Sequence, residues 1–172
     1  MISLFRPFVQ LCMFRIGPQS LPVSSFLLGL VLCAHTLMNI FGFMFLMPGP
    51  DAVFAGIVAT MLICSLTYAV LAVQRRQARL VQTLTALAGT ITILNLVGLP
   101  FASWLKSTYD AGLNTGAPMF IVMILTGWHL TVQAHILRHA MSTPLVVGLT
   151  VSLFFFVISV TVLQSLFPPV LA

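Results

Sequence analysis

The sequence predicts an all-α fold: a polytopic membrane bundle of five transmembrane helices, preceded by a short N-terminal interfacial amphipathic helix. Three observations predict it. Hydrophobic residues make up 60% of the 172 residues and charged ones only 5%, against about a quarter charged in an ordinary soluble domain. The mean hydropathy is +1.15, so the chain has too little polar surface to clothe itself in water. Its apolar residues gather into five runs of about 20, the length that crosses a hydrocarbon core roughly 30 Å thick. Lipid offers no partners to backbone N–H and C=O groups, which requires those runs to be helices.

The chain divides into an interfacial segment, 1–20, and a membrane domain, 21–172. In the first, Phe5, Phe8, Val9, Cys12, Met13 and Ile16 recur at the three- and four-residue spacing of one helical face. Arg6 and Gln10 lie one turn apart on another side, and Pro7 suits a first turn, where its missing N–H costs little. Gly17-Pro18 ends the pattern. The segment is expected to lie in the cytoplasmic interface with Arg6 and Arg15 reaching lipid phosphates. The long apolar stretch begins only after residue 20 and no small-residue cleavage site follows it, so an uncleaved N-terminus is expected.

The first span is expected from Ser24 to Met47, ending in the turn Pro48-Gly49-Pro50-Asp51. The second runs from Ala52 to Val73 and gives way to the basic stretch at 74–79. The third covers Leu80 to Leu99 and is stopped by Pro100; a polar stretch over 103–116, holding Trp104, Lys106, Tyr109 and Asp110, then packs partly on the membrane surface. The fourth covers Ala117 to Leu137, with Arg138, His139, Ser142 and Pro144 marking a turn, and the fifth covers Leu145 to Phe167, closed by Pro168-Pro169. Thr83, Thr85, Ala86, Ala88, Gly89, Thr90 and Thr92 let neighbouring backbones approach the third span closely, which puts it at the bundle centre. Phe154-Phe155-Phe156 surrounds the fifth with bulk and suggests a peripheral, lipid-facing place.

Charge sets the orientation. With the N-terminus in the cytoplasm, Arg6, Arg15, Arg75, Arg76, Arg79 and Arg138 all lie inside, and only Lys106 lies outside, beside Asp51 and Asp110. The expected place is a bacterial inner membrane, with the C-terminus outside. The formal charge of +5 comes from seven dispersed basic residues and describes topology rather than a nucleic-acid surface. Arg6, Arg15, Arg75, Arg76 and Arg79 are the candidates for binding anionic lipid or a partner. Cys12, Cys33 and Cys64 are far apart in apolar surroundings, show no zinc or disulfide spacing, and read as small buried hydrophobes.

No charged residue falls near the middle of a span, which argues against an ion-coupled transporter with an embedded carboxylate. Nor is there a nucleophile elbow, an H-E-x-x-H pair or a phosphate-cradling loop. Histidine remains. His35 lies near the middle of the first span with Asn39 one turn later; His129 lies near the middle of the fourth, beside Trp128, with Gln133 one turn later. Two imidazoles at matched depth on facing helices are what a b-type haem needs. The plainer reading, interhelical hydrogen bonds helped by Asn39, Gln133 or Asn95, stands ahead of it. A quinone or lipid headgroup on His129 and Gln133 is a further option. His135 and His139, with Arg138, are expected to meet headgroups. Met44 and Met47 end the first span and Met119 and Met123 begin the fourth on the same side, where thioethers would suit Cu(I), but methionine is an ordinary gap-filler and no His or Cys joins them there.

The opening Leu4-Phe5-Arg6-Pro7-Phe8, the cytoplasmic N-terminus, five closely spaced helices and short loops resemble the Yip family, five-span membrane proteins named for interaction with Ypt/Rab GTPases. The opening, with Phe14-Arg15-Ile16-Gly17-Pro18-Gln19 before Leu21-Pro22, is also similar to that of small proteobacterial membrane proteins. The resemblance implies a membrane-organising or partner-binding role without catalysis. Eukaryotic members carry their partner contacts in a longer cytosolic N-terminal region, of which residues 1–20 are expected to be no counterpart, so GTPase binding and functional residues are not carried over. The expectation is therefore a non-enzymatic protein without a cofactor, acting through helix–helix and lipid contacts as an accessory subunit or membrane-organising factor, its partners being lipids and other subunits or itself. The alternatives are a haem b- or quinone-associated electron-transfer subunit using His35 and His129, and a small-solute carrier or pore.

Overall fold

A computed structural model describes residues 2–47 and 49–167, so the expected turn residue Pro48 and the closing Pro168-Pro169 lie outside the described residues. The helices are α1 (Ile2–Cys12), α2 (Ser25–Phe43), α3 (Gly49–Val73), α4 (Leu80–Asp110), α5 (Gly116–Met141) and α6 (Leu145–Leu166), with 3-10 turns at Pro18–Ser20 and Gln77–Arg79. Helices α2 to α6 are long and apolar enough to cross a bilayer, which makes the chain a multi-pass membrane protein with five candidate spans.

Local chemistry sets most boundaries. The Ser24 hydroxyl caps α2 by accepting the Leu27 N–H at 3.2 Å. Helix α3 begins at Gly49, three residues earlier than expected, because Pro50 in a first turn gives up an N–H that would be unpaired anyway and Asp51 complements the helix dipole there. Four helices close alike. After α1, α3, α4 and α5 a residue turns left-handed, Phe14 (φ 60°), Arg75 (53°), Gly112 (64°) and Ser142 (50°). The following N–H bonds back five residues, as Arg76 to the Leu71 carbonyl at 2.7 Å and Thr143 to the Arg138 carbonyl at 2.9 Å. Only Gly112 is free of the Cβ strain of this conformation.

The largest departure from expectation is α4, which continues through Pro100 to Asp110. Proline removes one rung of the helical ladder, the bond to the Leu96 carbonyl, a loss that membrane helices tolerate. The Ser103 hydroxyl donates to the Pro100 carbonyl at 2.9 Å, Ser107 and Thr108 donate to that of Trp104, and Lys106 pairs with Asp110 at 3.0 Å one turn on. The polar stretch is thus a helical extension rather than a surface loop as far as Asp110. Helix α5 likewise runs one turn past Leu137 to Met141, so Arg138 and His139 are helical.

The centre of the bundle is α4, as its small residues predict. Every residue from Thr83 to Ile91 is buried, and α4 packs against α1, α2, α3 and α5. Thr83, Thr85, Thr90 and Thr92 satisfy their hydroxyls on carbonyls of their own helix, four residues back. Glycine sets the closest approaches elsewhere: Gly56 of α3 lies against Ile40 of α2, and Gly148 of α6 against the Ala134 carbonyl of α5. Thr36 and Thr60 join α2 to α3 through a 2.9 Å hydrogen bond. Helix α6 is peripheral. Phe154 and Phe156 are exposed as expected, but Phe155, 100° further round than Phe154, is 2% exposed and belongs to the core.

Helix α1 does not simply float in an interface. Phe8, Leu11 and Cys12 are buried in the core cluster, while Phe5, Val9 and Met13 are exposed. The buried face is therefore rotated from the predicted one, because it packs on protein: the Phe8 ring covers Gly89 of α4 so closely that no Cβ would fit there. The cysteines divide likewise, Cys12 buried, Cys64 half-buried and Cys33 exposed, which corrects the expectation that all three are buried.

Candidate functional site

Three groups of polar side chains organise this fold. The first docks the N-terminal segment. Between α1 and α2 the backbone carbonyls of Cys12, Ile16 and Leu21 have no helix of their own to bond into. Trp128 Nε1 donates to Cys12 O at 3.0 Å, His135 Nε2 to Ile16 O at 3.0 Å, and Gln82 Nε2 to Leu21 O at 2.7 Å. Phe14 stands edge-on to the His135 ring at 5.4 Å between centroids. His135 is thus buried and holds the N-terminal segment instead of meeting headgroups. Gln133, expected beside His129, faces α6 instead, where its Oε1 accepts the Ser152 hydroxyl at 3.1 Å.

The second group lies at the arginine-rich end. Arg79 Nη1 donates to the carbonyls of His139 (3.2 Å) and Ala140 (3.0 Å) and to Ser142 Oγ (2.9 Å), and Arg76 Nη1 also donates to Ser142 Oγ. The last carbonyls of α5 carry the negative end of its dipole, so two guanidiniums there satisfy both charge and hydrogen bonds. Of the five arginines singled out in the sequence, Arg76 and Arg79 therefore serve the fold as well as facing outward. Arg6, Arg15 and Arg75 are exposed. A cavity of about 340 Å³ opens beside Arg79 between Pro18, Gln82 and His139.

The third group is the interior one, and it contains the two histidines picked out by sequence. His35 of α2 is 3% exposed. Its Nε2 and its own carbonyl both engage Asn39 Nδ2, at 3.0 and 2.9 Å, and its Nδ1 is buried without a partner among the described residues. Asn39 in turn lines a cavity of about 300 Å³ between α2, α4 and α5, whose other polar walls are Asn95, Thr126 and His129. Asn39 is thus the bridge between the two histidines: it holds one and shares the cavity with the other. The cavity lies toward the Lys106 end of the bundle, and its remaining walls are apolar, Phe43, Leu94 and Leu125 among them. Sequence reading reached His35, Asn39, Asn95 and His129, but the space that the last three border left no signature except the glycines Gly42 and Gly98.

Among the described residues, no three His, Cys, Asp or Glu side chains gather as metal ligands. Met44, Met119 and Met123 point outward and are exposed. Of the two histidines, His129 lines the cavity and His35 does not; His35 Nε2 is engaged by Asn39 while its Nδ1 has no partner among the described residues. No protein-family model, curated protein or solved structure matches the chain.

Proposed function

We propose that this polytopic membrane protein is a non-catalytic bilayer component that acts through helix and lipid contacts, as an accessory subunit or a membrane-organising factor. The observation that carries the reading is where the strong donors go. Trp128, His135, Gln82 and Arg79 all donate to main-chain carbonyls and so hold segments of the chain together. Outside this frame, α2, α3 and α6 present broad apolar surfaces, with Phe26, Phe54, Met61, Val146 and Phe154 all exposed. Such surfaces suit acyl chains or the small-residue faces of other helices. The placement of the arginines supports a cytoplasmic Arg76 end in an inner membrane. The five-span plan shared with the Yip family supports the membrane-organising version.

Photo-crosslinking in native membranes tests the reading. A photoreactive residue at position 54 or 154 is expected to give a discrete adduct with another membrane chain or a second copy. Adducts with lipid alone from every exposed position would overturn the accessory-subunit version. A cysteine placed at position 76 should react with an impermeant maleimide only from the cytoplasmic side. The electron-transfer reading draws its support from Asn39, which links His35 to the cavity of His129. Its haem version would require sharp α and Soret bands on dithionite reduction that vanish in His129→Ala; the expected spectrum has none.

A further inference from the structure

We propose that the cavity between α2, α4 and α5 is a binding site for a neutral quinone-type molecule, held by His129 and Asn95 with Asn39 as a third contact. The inference goes beyond the accessory role and does not depend on it.

It starts from polar groups without partners. Of the polar side chains lining the cavity, Asn39 is bonded to His35 and Thr126 to the carbonyl of Val122. His129 and Asn95 line the space part-exposed, and neither side chain makes a hydrogen bond to protein among the described residues. At this depth in a bilayer an imidazole and a carboxamide left unpaired are costly, and the surroundings must supply a partner. A hydrocarbon chain filling the cavity would leave both unpaired. A phosphate, carboxylate or ammonium head would find no counter-charge, because no Asp, Glu, Lys or Arg lines the space. What fits is an uncharged head carrying oxygen atoms, joined to an apolar body.

The positions narrow the class further. Asn95 projects from α4 and His129 from α5, so their donors reach a ligand from two helices rather than one point. Asn39 Nδ2 is spent on His35, which leaves its Oδ1 as an acceptor. A flat ring with oxygens at separate positions meets such donors in the quinone form and offers a hydroxyl to an acceptor in the quinol form. Phe43, Leu94, Val122 and Leu125 supply apolar walls for its faces. The volume of about 300 Å³ stands at the lower end of small-molecule sites, the size of a single ring with its substituents. Room is made by glycine: a Cβ built on Gly42 or Gly98 meets nothing within 4 Å. Binding alone is proposed, with no electron transfer.

The open space around those glycines also provides the test. Trp128 precedes His129, so its fluorescence in a Trp104→Phe background reports occupancy. Titration of the nanodisc-reconstituted protein with decylubiquinone should give saturable quenching. Gly98→Leu and Gly42→Leu, which fill the cavity, should abolish the saturable part with no loss of thermal stability, and His129→Leu or Asn95→Leu should weaken it at least tenfold. Should Gly98→Leu fail to fold, Gly98→Ala is expected to weaken binding by a smaller factor. Quenching that never saturates, or that is the same in the filled variants, would overturn the proposal. So would a phospholipid that copurifies in the cavity and is not displaced by decylubiquinone. Each of these failures leaves the crosslinking result untouched.

Discussion

His135 Nε2 donates to the carbonyl oxygen of Ile16 at 3.0 Å, joining residues 119 positions apart. A carbonyl only accepts, so this bond places the ring proton on Nε2. Together with Trp128 on Cys12 O, it holds the N-terminal segment against α5. Leaving a buried carbonyl unpaired costs about 1–3 kcal/mol. His135→Leu should therefore raise the population in which residues 5–20 are undocked by roughly tenfold, since 1.4 kcal/mol is a factor of ten. Trypsin cleavage after Arg15 measures it, with Trp128→Phe giving a similar increase. Unchanged cleavage rates in both variants would show that the apolar contacts of Phe8 and Leu11 hold the segment alone.

Arg79 ties the start of α4 to the end of α5. Its guanidinium is exposed, so screening limits its worth, and the hydrogen bonds to two terminal carbonyls carry most of the effect. Arg79→Ala should lower stability in mild detergent by about 1 kcal/mol. Arg79→Lys should restore only part of it, since an ammonium cannot reproduce the fork of donors. Thermal unfolding of the three proteins side by side decides the matter.

Gly56 and Gly148 carry helix contacts whereas Gly29 and Gly127 border open space, which predicts opposite outcomes from the same substitution. Gly56→Ala drives a methyl into the Ile40 backbone, and Gly148→Ala drives one into the Ala134 carbonyl. Each should destabilise by about 1–3 kcal/mol as an overpacked contact. Gly29→Ala and Gly127→Ala meet nothing and should be neutral or slightly stabilising. Unfolding in denaturant after reconstitution distinguishes the pairs.

Burial pushes the Cys12 thiol up from 9.0 to about 11, its own backbone hydrogen bond opposing only in part. At pH 8 the folded protein therefore keeps Cys12 as an unreactive thiol, and iodoacetamide should modify it far more slowly than a Cys12-containing unfolded chain. The sign for stability follows. Between pH 9 and 11 the unfolded chain has lost the proton that the folded chain retains, so stability falls as pH rises through that window and levels off above it. Cys12→Ser should flatten this part of the pH profile.

Much of the fold was legible because lipid imposes a strong pattern: five apolar runs and one arginine-rich end need no tertiary information. The Thr, Ala and Gly residues of α4 announced its central place for the same reason. The passage through Pro100 was not legible, because in water proline would have ended that helix. The docking of α1 was hidden more deeply. Its acceptors are the main-chain carbonyls of Cys12, Ile16 and Leu21, and every residue type has one. His129 and Gln133 share a helical face, yet one borders a cavity and the other meets Ser152 of α6. Which neighbour stands opposite each turn is information that a single helix does not contain.

At 1.5 Å per residue, the 31 residues of α4 make a rod about 46 Å long, half as long again as the roughly 30 Å apolar slab. A rod that long can tilt, kink at Pro100 or leave its polar last turns outside the hydrocarbon. Trp104 and the Lys106–Asp110 pair all lie in its last two turns, the part chemically suited to the interface and water. How much of those turns clears the hydrocarbon then follows local bilayer thickness, less where the membrane is thicker.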